Sequence, residues 1–453
     1  MTTPAPLDSA ARRPELPPGF RARRGLNWGT IGLLYTSYYL CRYNLSLANK
    51  PMSDELGFTK AQMGTIITSA LLAYACGQAI NGLLVDKFGG KRAMLIGATG
   101  TVLMNLAFGA ASFWGLLGLF VVLRSIDGYM QAFGASGFVK INAAWFSQKE
   151  RGTFAGIFGF MINLGRFFIF TFGPAFLAGF IFLGMWHVPP LHWRWLFWIP
   201  AGIATGVAIA FYFLVKDTPE EAGFHGVHKH EPDHQEVNVR TEVIVVLRRI
   251  LANPNIWFFA CAYACTGAVR QSIDQWFPRY MMEVHHVAMN SPQLKWLGFL
   301  IPFTASLGSV IAGWISDHVF HGRRAPVACA LYGLEAVMAL IAAQVAAIAA
   351  ALQVSVVNAT IAFFVLLSLT ANATHSIMGP AASMDIGGRK MAGFAHGLID
   401  AFQYLGGALA GVLLGALIDR HWGYYFYFMV PFGFIGSALM WHIRHRTNLK
   451  GGP

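Results

Sequence analysis

Between Trp28 and Ile443 the chain is a succession of apolar stretches, most about twenty residues or longer, separated by short polar turns. As a helix, such a stretch crosses a hydrocarbon slab of roughly 30 Å at about 1.5 Å per residue. Lipid offers the backbone no hydrogen-bond partner, so each stretch must satisfy its own N–H and C=O groups, and an α-helix does so. The stretches fall at about residues 28–48, 62–85, 93–113, 115–142, 153–182, 194–215, 255–280, 294–316, 325–352, 356–384, 391–417 and 424–443. This predicts an all-α membrane protein with twelve transmembrane helices. Charged residues make up only 12% of the chain, against about 25% in soluble domains.

The net charge of +12 comes from Lys and Arg collected in alternate turns. They cluster in the first 25 residues, at Lys87–Arg92, at Lys149–Arg151, in the stretch 216–253, at Arg323-Arg324, at Arg389-Lys390 and at Arg444–Lys450. Loops so enriched stay on the cytoplasmic side. The expectation is an inner (plasma) membrane protein, multi-pass and monomeric, with both termini cytoplasmic and no nucleic-acid partner. The first 25 residues lack the apolar core of a signal peptide and read as a cytoplasmic tail. The layout is then a tail at 1–25, a six-helix half at 26–215, a cytoplasmic linker at 216–253, a second half at 254–446 and a tail at 447–453. The linker holds His225, His228, His230 and His234 without metal-ligand spacing, so it reads as solvated chain. Its part 241–251 reads as an amphipathic surface helix. The five cysteines lie in apolar stretches and read as small core residues, not disulfides. No nucleophile–base pair and no metal cluster appears in the spans, which argues against an enzyme and against a cofactor.

Arg42 lies 14 residues after Trp28, about 21 Å along its helix. A guanidinium cannot be deprotonated there, so it needs a partner, a cavity or a ligand. Arg124 and Asp127, one turn apart, can satisfy each other. Arg42 has no such neighbour, but it has an echo. Gly82-x3-Asp86 recurs as Gly313-x3-Asp317, an offset of 317 − 86 = 231. Gly156 and Gly165 recur as Gly397 and Gly406, both offset by 241. Arg42 then corresponds to Arg270, since 270 − 42 = 228. Two parallel halves related by an axis along the membrane normal place their first helices across a central cavity. Arg42 and Arg270 would face each other there, and a dianion between two guanidinium forks would relieve their repulsion. The plainer alternative is two intramembrane ion pairs, Arg270 with Asp274 and Arg42 with Asp400. The turns holding Asp86 and Arg92, and Asp317 and Arg324, read as gating structure of the cytoplasmic face, where the carboxylates can cap a helix start.

Gly82–Arg92 and its echo resemble the signature loop of the major facilitator superfamily. Tyr38-Tyr-Leu-Cys-Arg42-Tyr-Asn, Trp145–Gly152, Lys216-Asp-Thr-Pro-Glu-Glu-Ala-Gly223, Arg270 with Asp274-Gln-Trp276, and Phe402-Gln-Tyr404-Leu-Gly-Gly407 resemble the organophosphate–phosphate antiporter family. The resemblance implies exchange of a phosphorylated metabolite for inorganic phosphate by rocking of the two halves. It implies that Arg42 and Arg270 bind phosphate, and that Tyr35, Tyr39, Tyr74, Asn163 and Tyr404 line the cavity. The chain departs from the glycerol-3-phosphate branch at Gln78, where that branch has lysine, at Ile162 (histidine) and at Ala135 (tryptophan). Arg166 and Asp400 add charges of their own. Gln78, Arg166 and Asp400 are therefore expected to shape selectivity. Two other readings remain: a proton-coupled importer of an organic anion using Asp400, and a membrane sensor of a sugar phosphate.

Overall fold

The computed structural model describes residues 16–146, 148–182, 184–225, 252, 254–321, 323–381 and 397–445. The terminal tails, the linker 226–251, the Arg389-Lys390 turn, Ser147 of the Trp145–Gly152 motif, and the side chains of Asp86 and residues 148–158 lie outside that description. Twelve long helices run through the described residues: α1 (Phe20–Leu56), α2 (Lys60–Phe88), α3 (Gly90–Ala111), α4 (Leu117–Trp145), α5 (Gln148–Ala178), α6 (Trp195–Leu214), α7 (Pro254–Val284), α8 (Pro292–His318), α9 (Arg324–Ala342), α10 (Val356–Ser376), α11 (Gly397–Arg420) and α12 (Tyr424–Ile443).

Nine of these are long and apolar enough to cross a membrane by length and composition. The other three are α1, α4 and α7. They carry Arg42, Asn44 and Asn49, then Arg124, Asp127 and Gln131, then Arg270, Asp274 and Arg279, and all nine side chains are buried. Their polarity therefore faces the protein interior, which lipid-facing helices cannot do.

The helix ends follow local chemistry. Thr59 and Gln62 form a reciprocal capping box at the start of α2. The start of α3 is capped from far along the chain: the Lys91 N–H donates to the Asp217 carboxylate at 2.6 Å. That cap was expected from the carboxylates of the signature turns. Asp217 supplies it because Asn27 and Trp145 grip the backbone of Lys216 and hold the Lys-Asp-Thr-Pro run against the helix end. The fifth span was read through residue 182, but α5 stops at Ala178. Gly179 adopts φ +84°, and Phe180–Phe182 then pairs antiparallel with Trp186–Val188 in a small hairpin. Within α11 the helix breaks at residues 410–411. The carbonyls freed nearby are taken by side chains: Thr68 donates to Ala408 at 2.6 Å and Trp276 to Ala410 at 2.7 Å.

The internal repeat is visible in the packing. A Cβ on Gly165 would fall 2.5 Å from the Thr36 carbonyl, and one on Gly406 would fall 1.9 Å from the Ala264 carbonyl. These are repeat mates, since 264 − 36 = 228, the offset of the two arginines. Each half thus locks its first helix to its fifth through one glycine. The halves meet where Ser46 donates to the Asp274 carbonyl at 2.7 Å. Ser46 and Asp274 are themselves repeat mates, because 274 − 46 = 228. Equivalent residues touch only on the pseudo-twofold axis, so α1 and α7 cross there.

Candidate functional site

Arg42 and Arg270 each precede that crossing by four residues, about 6 Å of helix rise. They lie on opposite sides of the axis, towards the face that carries residues 16 and 445. On the opposite face the halves are sealed. Arg279 donates to Asn49 at 2.7 Å and Ser53 at 3.0 Å, and to Glu283 at 2.7 Å. Lys60 reaches Glu283 at 3.3 Å, and its N–H and that of Ala61 donate to the Asp419 carboxylate at 2.8 and 2.7 Å. This α2 terminus is thus capped by an anion from the other half.

The Arg42 guanidinium is held on three sides. Its Nε donates to Gln131 Oε1 at 2.7 Å and its Nη1 to the Tyr404 hydroxyl at 3.3 Å. The rings of Tyr39 and Tyr74 lie 4.6 and 4.3 Å from its Cζ. Gln131 is fixed in turn by donating to both oxygens of Asp127 at 3.0 Å. Asp127 pairs with Arg124 at 2.7 Å, as their spacing predicted, and Arg124 also bonds the carbonyls of Cys41 and Arg42. The charge on Asp127 is therefore spent on Arg124. Among the described residues no carboxylate comes within 4.0 Å of Arg42. The alternative pairing with Asp400 does not form.

Arg270 donates to Asn372 at 3.1 Å. Its expected partner, Asp274, stands 3.9 Å away, and the other oxygen of Asp274 is paired with Arg166. Arg166 is fully buried and has no exposure to a cavity. It ties the first half to the second, and Asn163 assists by accepting from Arg166 at 3.1 Å and donating to Ser306 of α8 at 2.9 Å. Arg166, expected to shape selectivity, here pairs between the halves with Asp274 of α7, the only carboxylate within 4.0 Å of it among the described residues.

Tyr35, Tyr39, Tyr74, Gln78 and Tyr404 assemble around Arg42. Gln78 donates to the Tyr74 hydroxyl at 2.9 Å, and the Tyr74 and Tyr404 rings lie 4.2 Å apart. Tyr35 packs against Tyr38 and Tyr39, one layer back. Tyr39 and Tyr404 are electrostatic neighbours of both Arg42 and Arg270. Asp400 accepts from Tyr263 at 3.3 Å, and the same hydroxyl lies 2.8 Å from His375 Nδ1. Arg92 and Asp317 are exposed on the terminal face and Arg324 is half-buried there. Gln131, Asn372 and Tyr263 were not anticipated. Gln131 had a signal, since it lies one turn beyond Asp127 on the same helix face. All five cysteines are free thiols.

Two six-helix halves, a polar interior at mid-membrane and a seal on one face are the architecture of a membrane transporter. The sequence profile of the Major Facilitator Superfamily matches residues 31–345 and 288–452, and the chain belongs to that family. It is 26% identical to the glycerol-3-phosphate transporter of Bacillus subtilis over 427 residues, 91% of each chain. It is 24% identical to the phosphoglycerate transporter protein of Salmonella typhimurium, over 93% of this chain and 89% of that one. Its identity to the membrane sensor protein UhpC of Escherichia coli is 25%, over 88% and 87%. The fold matches an inward-facing bacterial homologue of the human lysosomal transporter Spinster, with TM-score 0.69, 15% identity and coverage of 95% and 99%. It also matches a D-xylose–proton symporter, with TM-score 0.68, 13% identity and coverage of 92% and 97%.

Proposed function

We propose that the chain exchanges a phosphorylated organic metabolite for inorganic phosphate across the membrane by alternating access. One observation carries this reading. Two symmetry-related arginines lie buried on either side of the axis; among the described residues Arg42 has no carboxylate within 4.0 Å, and Arg270 has only Asp274, at 3.9 Å and already paired with Arg166. A phosphoryl dianion neutralises both and takes a fork from each. The relatives named as glycerol-3-phosphate and phosphoglycerate transporters support the ligand class. Tyr39, Tyr74 and Tyr404 hydrogen-bond the phosphoryl group or its organic substituent. Gln78 and Asp400, on the terminal side of Tyr404, set what that substituent is. Asp86, Arg92, Asp317 and Arg324 belong to the gate on the terminal face. The terminal face is cytoplasmic, by its basic turns. Bound anion lets the halves rock by removing the repulsion between Arg42 and Arg270.

The test is phosphate efflux from phosphate-loaded proteoliposomes, driven by a panel of external phosphorylated solutes. Arg42→Lys and Arg270→Lys keep the charge and lose the fork, and each is expected to cut exchange at least tenfold, since a hydrogen bond to a charged group contributes about 1.5–3 kcal/mol. Exchange that survives both substitutions overturns the clamp. The sensor relative favours a second reading, in which a sugar phosphate binds without transport. Saturable binding with no efflux for any solute would select it.

A further inference from the structure

Glu335 lies outside the arginine site. It stands 11 residues past the start of α9, about 16 Å into the membrane. It is 1% exposed. Its helix packs on α12, α10, α8 and the turn 377–381, and Tyr332 ties it to α7. From α10 it meets Thr374, and Cys265 of α7 is an electrostatic neighbour. From α12 come Gly433 and Gly436, against Ala336 and Tyr332. On its own helix Tyr332 lies one turn earlier, its hydroxyl bonded to Thr266 and to the Ala262 carbonyl. Among the described residues, the titratable groups facing Glu335 are thus Cys265 and Tyr332, and neither is a cation. No ion pair with Glu335 forms among the described residues.

An uncompensated carboxylate at that depth is prohibitive. The hydrogen bonds point the same way. Thr374 Oγ1 is 2.6 Å from Glu335 Oε1 and 3.0 Å from the Thr370 carbonyl, while Glu335 Oε2 is buried with no partner. With a proton on Oε1, the acid donates to the Thr374 hydroxyl, which donates to Thr370. Every hydrogen then has an acceptor, and Oε2 is the carbonyl oxygen of a neutral acid. Without that proton, a single hydroxyl faces a buried anion. Three residues beyond Thr374, α10 changes to a π-helical turn, Ile377–Ala381, a local geometry that often marks a moving or functional segment.

We propose that Glu335 is a proton-binding site of the second half, loaded in this conformation and able to release its proton only when α9 and α10 separate. The site does not depend on which solute the arginines hold. Infrared spectra of the reconstituted protein without substrate test it directly. The wild type is expected to show the carbonyl stretch of a protonated carboxyl that is missing in Glu335→Gln, and Thr374→Val, which removes the acceptor, is expected to shift that band. The transport rate of the wild type is expected to fall at alkaline pH, and that of Glu335→Gln, a fixed mimic of the neutral acid, to stay flat. An acid band unchanged by both substitutions overturns the proposal, as does a Glu335→Gln rate that falls with pH like the wild type. Should Glu335→Gln not fold, the band shift in Thr374→Val decides alone.

Discussion

The Arg166–Asp274 pair is the sharpest target for perturbation. Asp274→Asn leaves Arg166, which is fully buried, without its counter-charge, and removes the one carboxylate within 4.0 Å of Arg270 among the described residues. Breaking one partner of a buried pair costs about 3–5 kcal/mol, whereas replacing both is often neutral. For a unit the size of one half, roughly 2–4 °C of melting temperature accompanies each kcal/mol. Asp274→Asn is therefore expected to lower the melting midpoint by roughly 6–20 °C, and Arg166→Gln by somewhat less, because Asp274 then keeps Arg270. The double variant is expected to recover most of the loss, with a coupling of about 2 kcal/mol or more in a double-mutant cycle. The assay is thermal denaturation in detergent alongside phosphate exchange in liposomes. Additive penalties in the double variant would refute the pairing. A double variant that is stable but does not exchange would return Arg166 to the ligand site.

Gln131 positions Arg42 and does not itself need to touch the solute. Gln131→Leu is expected to raise the apparent KM roughly tenfold, and Gln131→Glu to suppress phosphate binding further by placing a carboxylate beside Arg42 Nε, as read by exchange at increasing substrate. Asp419→Asn removes the anion that caps α2 across the seal, worth about 1 kcal/mol. Labelling from the distal face of a cysteine at Thr68, in a cysteine-free background, should rise about fivefold. His285, in the turn after α7, accepts or donates at 2.9 Å with Thr360. Burial, then the neighbouring His286, lowers its pKa below the ordinary 6.5. The unfolded chain then binds the extra proton first, so stability is full above about pH 6.5 and falls as pH drops through that value towards the lowered one. His285→Gln should flatten the stability profile between pH 7 and 5.

Hydropathy and spacing were enough to read most of the architecture. The twelve spans, the repeat and the Arg124–Asp127 pair follow from local or periodic features: run length, a constant offset, one-turn separation on a helix. The end of α5 at Ala178 and the break within α11 at residues 410–411 were missed because a glycine conformation in one case, and helix–helix contact in the other, override the apolar pattern.

The partners of the buried charges were a different matter. From sequence, Asp274 belonged to Arg270 by proximity, and Asp400 was available to Arg42. In the folded protein Asp274 serves Arg166, 108 residues away, and Asp400 serves Tyr263. A chain determines by itself which side chains sit too deep for solvent, because depth is a count of residues along a helix. It also determined that Arg42 and Arg270 are equivalent, because equivalence is an offset. Which charges cancel depends on distances between helices, set by the packing of small residues such as Gly165 and Gly406. Only the tertiary structure decided that Arg42 is held by neutral groups, and that the carboxylate nearest Arg270 is shared with Arg166, which is the arrangement the proposed anion site rests on.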